Sequence, residues 1–399
     1  MTSIKTITIV GGGSSGWMTA LALSKIPGLS ITLIETSDIP IIGVGESTNL
    51  TMRGFNEFVG EFDESLFMKA SNATYKLAIR FQNFNAAGDE FFHPFGGGNL
   101  KKKIYFKNKA QNLHPEYHIA AKKYFFSKKA TYSYHLDAGL YGAYLKGKCI
   151  KKGVRHVVDE IIDVKLSDDG EIQYLDTKAH GKIKSDLFID CSGFRSILLG
   201  KAVQEPFVDS GKYLINDRAL AVRVPYNDRK TELHPYTNCC ALSAGWAWTI
   251  PLWNRRGIGY VYSSQFISDE KAETELRQYL QIDANTALDI NRVKIRVGRH
   301  ERAWVKNCVA LGLSYGFLEP LESTGLSLTQ SAIFDLVSAL TAGGTSIERA
   351  IFNENQKQKF DRTRDFILAH FVLTQREDTP YWKHVKYSNM ISRPCPKFS

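Results

Sequence analysis

The chain has 399 residues, of which 43% are hydrophobic and 23% charged, and its formal charge is +10. That balance is ordinary for a globular protein, and the length suits one large domain or two interleaved ones. No run of about 18 apolar residues occurs, so no membrane-spanning helix is expected, and the apolar stretch in MTSIKTITIVGGG is too short for a signal peptide.

The first residues read as β–α–β. IKTITIV (4–10) is a β-branched strand, SSGWMTALALSKI (14–26) has helical apolar spacing, and LSITLIE (29–35) is a second strand. Between strand and helix, GGGSSG places Gly11, Gly13 and Gly16 as G-x-G-x-x-G, with Ser14 and Ser15 at the helix start. The motif is weak alone, but here a strand precedes it and a helix follows. Glu35 ends the second strand, where a ribose-binding acid is expected. Backbone access to a pyrophosphate at a helix N-terminus is the physical reason for such a site.

Residues 36–48 read as a loop with two more glycines, Gly43 and Gly45. TYKLAIRFQNF (74–84) reads as one strand, with Tyr75, Leu77 and Ile79 on one face and Lys76, Ala78 and Arg80 on the other. Lys76 then sits on a solvated face, or in a pocket where desolvation lowers its pKa. His93 and Phe95 in FFHPFGG are packed core residues or an aromatic slot for a flat substrate. YHLDAGLYGAYLKGK (134–148) reads as helix, and 154–190 as several strands with a hairpin turn at SDDG. DLFIDCSGFRS (186–196) is a strand running into a glycine turn. Residues 217–264 are again strand-rich, NCVALGL (307–313) is a last core strand, and 326–342 and 346–374 are long helices.

In GWAWTIP (245–251), a strand places Trp246 and Trp248 side by side on one face, and Pro251 closes the ladder. Spacing alone favours core packing for the pair. In FLEPLESTG, Ser323 and Thr324 are candidate N-caps, and the helix start at Gly325 can hold an anion beside Glu322. A simple cap with Glu322 serving the helix dipole is the plainer alternative.

The six cysteines, Cys149, Cys191, Cys239, Cys240, Cys308 and Cys395, form no CxxC or zinc spacing. They read as free thiols in a reducing compartment, with no structural metal. Together with the absence of an address, this suggests the cytoplasm. The lysine clusters at 100–109 and 145–153 read as solvated faces, since no nucleic-acid motif accompanies them. Neither nucleic acid nor membrane is expected as a partner.

The ordered motifs GGGSSGW (11–17), IPIIGVGEST (39–48), YKLAIRF (75–81), FHPFG (92–96), DLFIDCSGFRS (186–196), GWAWTIP (245–251), GYVYSS (259–264), FLEPLESTG (317–325) and DTPYW (378–382) span nearly the whole chain. In that order they resemble the flavin-dependent tryptophan halogenases. W-x-W-x-I-P with E-P-L-E-S-T-G is the specific part of the match.

The resemblance implies an α/β fold: a GR2-type, Rossmann-like FAD domain with an interleaved β-sheet, a small meander and a helical substrate-side layer. The flavin core would be mainly 1–50, 150–200 and 300–345. The substrate side would be mainly 51–149, 201–299 and 346–399, the whole forming one discontinuous unit. It implies FAD received as FADH2 from a separate flavin reductase, with O2 and chloride or bromide as co-reactants. The halide becomes hypohalous acid, which halogenates an electron-rich aromatic such as an indole. Family members are often homodimers.

By motif, Lys76 holds the hypohalous acid or becomes a haloamine, Glu322 polarises it or takes the ring proton, and Ser323 links the flavin and substrate sites. Thr324 and Gly325 hold the halide, and His93 and Phe95 sandwich the substrate. Gly11, Gly13, Ser14, Ser15, Gly16, Glu35, Thr36, Ile39, Ile42, Val44, Ser47, Val157, Leu313 and Leu326 contact FAD. Loop 39–48 is the strap between the two sites, and Trp246 and Trp248 wall the flavin from the organic substrate. The sequence ends at Ser399, soon after DTPYW, where members acting on free tryptophan continue into a lid. The expectation is a halogenating core without that lid, so an indole, a phenol or another aromatic stands beside tryptophan as substrate. A flavin hydroxylase is the main rival, although it has no use for Lys76 or the tryptophan wall. A non-catalytic flavin binder is the other.

Overall fold

The β-branched run Thr6–Val10 becomes a strand buried on both faces, at the centre of a six-stranded sheet. The computed structural model describes residues 4–37, 43–60, 62–95, 131–283 and 286–387. Across this sheet the strands are Trp304–Val305, Cys308–Ala310, Leu187–Asp190, Thr6–Val10, Ser30–Glu35 and Arg155–Val158. Every neighbouring pair is parallel except the first. Parallel strands need both faces covered. Helix Ser14–Leu23 covers one, and it packs in turn on helices Ala138–Lys151 and Gly325–Thr341. The turn at 167–170 joins Ile161–Leu166 to Ile172–Thr177, and Gly181–Ile183 completes an antiparallel meander. The expected α/β architecture is therefore present.

The second large layer is a seven-stranded sheet. Its order is Ile290–Lys294, Arg218–Val224, Arg256–Tyr262, Gly245–Pro251, Tyr236–Ala241, Ala78–Gln82 and Glu90–Pro94. The tryptophan strand lies in the middle, with Trp248 opposite Gly259 and Ile250 opposite Gly257. Close approach demands both glycines. A Cβ on Gly259 would stand 2.1 Å from Cζ2 of Trp248, and one on Gly257 would stand 2.0 Å from the Val44 carbonyl oxygen. The indole and the strap thus lie directly on the sheet backbone.

Three segments differ from the sequence reading. Residues 74–84 do not form one strand: Thr74–Lys76 belongs to a three-stranded sheet with Glu46–Ser47 and Ser133–Leu136, whereas Ala78–Gln82 joins the seven-stranded one. At the switch, the Leu77 N–H donates to the Pro235 carbonyl and the Leu77 carbonyl accepts from Phe95. Tyr75, Lys76, Leu77, Ala78 and Ile79 are all buried, so the alternation carries no solvated face. The helix read over 134–148 begins only at Ala138: residues 133–136 are a strand, and Asp137 caps the helix by accepting from Gly139 and Leu140 N–H. Glu46–Ser47, inside the expected loop, pairs with His135–Leu136. A two-residue strand has no periodicity to detect.

The long C-terminal helices fall where expected, at Gly325–Thr341 and Ser346–Val372. Thr345 and Glu348 form a capping box at the start of the second. No helix among the described residues is long and apolar enough to cross a membrane.

Candidate active site

Lys76 is completely buried. Its Nζ donates to the Thr48 carbonyl at 3.0 Å and to Ser323 Oγ at 2.7 Å, and lies 4.9 Å from the centre of the Phe95 ring. Burial disfavours the ammonium and pulls the lysine down to about 7; Glu322 and Cys239 nearby offset part of that fall. The group thus passes between ammonium and amine near neutrality, as proton-exchanging chemistry requires.

Glu322 is buried and held from two sides. His93 Nδ1 lies 3.0 and 3.1 Å from its two oxygens, and His370 Nε2 lies 2.8 Å from Oε1. Burial alone would raise the carboxyl, but the hydrogen bonds from His370 and His93 override it and hold Glu322 at about 2. The same bond raises His93 above its ordinary value, against its partial desolvation. Glu322 is therefore a fixed carboxylate.

A cleft between the two large sheets is lined by Ser14, Ser15, Val44, Ser47, Trp246, Trp248, Leu313, Ser323, Gly325 and Leu326, all of them expected site residues. Trp246 and Trp248 stand side by side, ring centres 6.0 Å apart. Ser323 belongs both to the cleft wall and to the Lys76 hydrogen bond, which joins the two regions. Gly11 and Gly13 lie in the turn after strand Thr6–Val10 and Gly16 in the helix that follows; Glu35 ends strand Ser30–Glu35 with Thr36 next to it, and Val157 pairs with Ile34 from strand Arg155–Val158. Ile39 and Ile42 lie outside the described residues.

The cleft and its approach suit a flavin dinucleotide. A Cβ on Gly11 would lie 2.2 Å from the Cys191 carbonyl oxygen, and one on Gly16 would lie 1.9 Å from that of Gly11, so only glycine closes this turn. Helix Ser14–Leu23 starts with no side-chain cap and no acid in its first turn, leaving its N-terminal end suited to a phosphate. Glu35 Oε1 is already bound by Lys146 at 3.0 Å and His156 at 2.7 Å. Lys146 belongs to one of the basic clusters read as solvated, so that reading does not hold for it; residues 100–109 lie outside the described residues.

Neither hydroxyl at 323–324 makes a cap hydrogen bond. Helix Gly325–Thr341 has Thr324 at its N-cap position with no side-chain cap bond, and Ser323 is turned to Lys76 and Ser47 with φ of 60°. Thr324 Oγ1 is buried without a hydrogen-bond partner among the described residues. The Ser323 hydroxyl is thus drawn from capping by Lys76 and Ser47.

Several site residues escaped the sequence reading. His370 lies far along the chain, on a helix whose spacing gives no sign of it. Glu319 is buried, and its Oε2 accepts from Trp246 Nε1 at 2.6 Å and Asn216 Nδ2 at 2.9 Å. Glu46 lines the cleft, and burial with Asp137 nearby pushes it up to about 7. His135 sat in the stretch misread as helix. The alternation of YSYHL was the signal available for it.

The family model for tryptophan halogenase matches residues 6–397. Tryptophan 6-halogenase SttH of Streptomyces toxytricini is 39% identical over 95% of this chain and 80% of its own length. Tryptophan 7-halogenase RebH of Lentzea aerocolonigenes is 37% identical over 95% and 78%. The crystal structure of SttH superposes with a TM-score of 0.86 over 99% of this chain and 83% of that one, at 37% identity. BrvH, a flavin-dependent halogenase from Brevundimonas sp. BAL3, gives 0.82 over 96% and 82%, at 34% identity. With sequence, fold and a match running through the strap, the tryptophan strand and the Glu322 loop, the chain belongs to the tryptophan halogenase family of flavin-dependent enzymes.

Proposed function

We propose that this chain is the halogenating component of a two-component system, taking FADH2 from a separate flavin reductase and using O2 with chloride or bromide. Its substrate is an electron-rich aromatic of the indole or tryptophan type. Bound reduced FAD supplies, with O2, the oxidising power that converts halide to hypohalous acid. The Gly11–Gly16 turn and the first turn of helix Ser14–Leu23 hold the dinucleotide, and Trp246 and Trp248 keep organic substrate from its ring. Thr324 and Gly325 hold the halide, a reading supported by the unpartnered, buried Thr324 hydroxyl.

The observation that carries the proposal is a fully buried, near-neutral lysine joined through Ser323 to the cleft, beside an ionised glutamate. Two of the Nζ positions are spent on Thr48 and Ser323. The remaining one meets the halogenating species, by hydrogen bond as ammonium or by its lone pair as amine. His93 and Phe95 flank the aromatic ring. Glu322 Oε2 takes the proton that the halogenated ring must lose. A protonated arene is far more acidic than a carboxylic acid, so a carboxylate held at about 2 is still an adequate base.

The test is turnover with FAD, NADH, a flavin reductase, O2, and bromide or chloride over a panel of indoles, tryptophan and phenols, read by mass spectrometry. A halogen isotope pattern that disappears in Lys76→Ala is expected. Hydroxylated products without halogen, or a fully active Lys76→Ala, would overturn the reading.

A further inference from the structure

Behind Lys76 runs a buried chain of hydrogen bonds made of four hydroxyls and one imidazole. Ser323 Oγ, 2.7 Å from Lys76 Nζ, is 2.8 Å from Ser47 Oγ. Ser47 Oγ is 2.5 Å from Thr237 Oγ1, which is 3.0 Å from His135 Nε2. His135 Nδ1 is 3.1 Å from Thr74 Oγ1, which is 2.6 Å from the Pro251 carbonyl oxygen. Every side chain in this line is buried. Its members come from the strap, the loop before helix Gly325–Thr341, and three strands, and it ends on the last residue of the tryptophan strand.

The far end fixes the direction of the whole chain. A carbonyl only accepts, so the single hydroxyl hydrogen of Thr74 goes to Pro251. Thr74 Oγ1 must then accept from His135 Nδ1–H. Burial holds His135 well below the ordinary histidine value, with Lys76 adding to the effect, so the ring is neutral and Nε2 is an acceptor. Thr237 therefore donates to His135, Ser47 to Thr237, and Ser323 to Ser47. Ser323 is left with only lone pairs for Lys76. Thr48 likewise offers Nζ a carbonyl.

We propose that His135 is a positioning residue for Lys76: as the terminal acceptor of a one-way hydroxyl chain, it stops Ser323 from donating to the Nζ lone pair and leaves that lone pair directed at the substrate side. Were the chain broken, Ser323 could turn its hydrogen onto the free amine and occupy it. Ser47 and Thr237 line the cleft with Ser323, whereas His135 and Thr74 stand behind it and act only through these hydroxyls. The effect of His135 passes through the orientation of hydrogens, which a network of buried side chains transmits. The inference rests on the reading of Lys76 as the reacting lysine.

The groups facing these residues are few. Glu322, Cys239, His93 and His135 face Lys76, and Lys76 faces His135. A shift at Lys76 when only Thr237 is changed is thus assignable to the chain.

The experiment has two arms. In the first, protein labelled with ¹⁵N-histidine and ¹³C-lysine is studied by NMR without cofactor, comparing wild type, Thr237→Val and Thr237→Ser. His135 is expected with Nδ1 protonated and Nε2 bare from pH 6 to 8.5. Thr237→Val is expected to lower the Lys76 titration midpoint by about half a pH unit or more, because Ser323 can then stabilise the free amine. Thr237→Ser restores it. The opposite tautomer, an imidazolium at neutral pH, or an unmoved Lys76 midpoint overturns the proposal.

In the second arm, Thr237→Val is expected to cut kcat for halogenation about tenfold or more and to move the kcat–pH profile with the Lys76 midpoint. Because Thr237 lines the cleft, FAD affinity is measured by fluorescence alongside and rates are compared at saturating FAD; Thr237→Ser should recover the rate. An unchanged kcat and profile in Thr237→Val overturns the proposal. If wild type gives no halogenated product, the reading of Lys76 as the reacting lysine fails, and the NMR arm still decides the direction of the chain.

Discussion

His370 Nε2 lies 2.8 Å from Oε1 of Glu322, while its Nδ1 lies 3.0 Å from the Phe366 carbonyl oxygen. The hydrogen bonds from His370 and His93 hold Glu322 at about 2 in spite of its burial, and Glu322 in turn raises His93, so the carboxylate and His93 form a coupled pair.

The pair has a defined pH signature. Glu322 is depressed from 4.5 to about 2, so its stabilising contribution is complete above 4.5 and is lost as pH falls toward 2. His93 is raised, so its share is complete below 6.5 and fades as pH climbs through its raised value. Together they are strongest between those limits. His370→Phe is expected to lose about 2 kcal/mol near pH 6, because it removes one hydrogen-bond partner from a buried carboxylate. Its loss should shrink on acidification. Urea unfolding across pH checks both.

Lys76 should be costly to the fold. Between about 7 and 10.5 the unfolded chain binds the lysine proton and the folded one does not, so stability rises with pH through that window. Lys76→Met, similar in volume and without charge, should flatten that rise and raise the melting temperature at pH 7 while abolishing halogenation. The slope removed is about 1.4 kcal/mol per pH unit at most. Calorimetry at several pH values measures it, and a destabilised Lys76→Met would contradict the account.

Glu319 binds Trp246 from beneath the proposed wall. Burial raises it to about 7, with the bonds from Trp246 and Asn216 opposing. A raised carboxyl makes the folded state bind more protons between 4.5 and 7, so its contribution falls as pH rises through that range. Tryptophan fluorescence of the wild type is expected to carry a transition near pH 7. Glu319→Gln should keep an acceptor for Trp246, lose the transition, and be the more stable protein at pH 8.

The two glycines opposite the tryptophan strand should separate two functions. Gly257→Ala presses on the Val44 carbonyl oxygen and should displace the strap, weakening FAD binding about tenfold. Gly259→Ala drives into the Trp248 indole and the Leu220 carbonyl oxygen. It should cost about 1–3 kcal/mol of stability and lower the product formed per O2 consumed. FAD titration, thermal unfolding and oxygen uptake distinguish them. Equal effects of both on FAD affinity would show that strap and wall are not separate parts.

Local pattern carried the glycine turn of the first β–α–β unit, because a strand, a glycine fingerprint and a helix are contiguous and each has its own period. The same holds for the tryptophan strand, where i and i+2 share a face whatever surrounds them. It failed at Leu77, where the chain changes sheets in one residue, and at 133–136, where a four-residue strand precedes a helix under a continuous apolar pattern. Alternation reports burial on one face only, so it could not show that Lys76 is buried on every side.

From the sequence alone came the order of elements, the motifs and the residues with the right chemistry. Which histidines hold Glu322, that Ser323 serves Lys76 and not the helix, and that Ser47, Thr237 and His135 stand in line behind it were decided only by the tertiary structure. The reason is physical. Burial sets the charge state of Lys76 and Glu322, hydrogen-bond direction sets the orientation of the hydroxyls, and both depend on atoms from segments far apart in the chain, which no local period records.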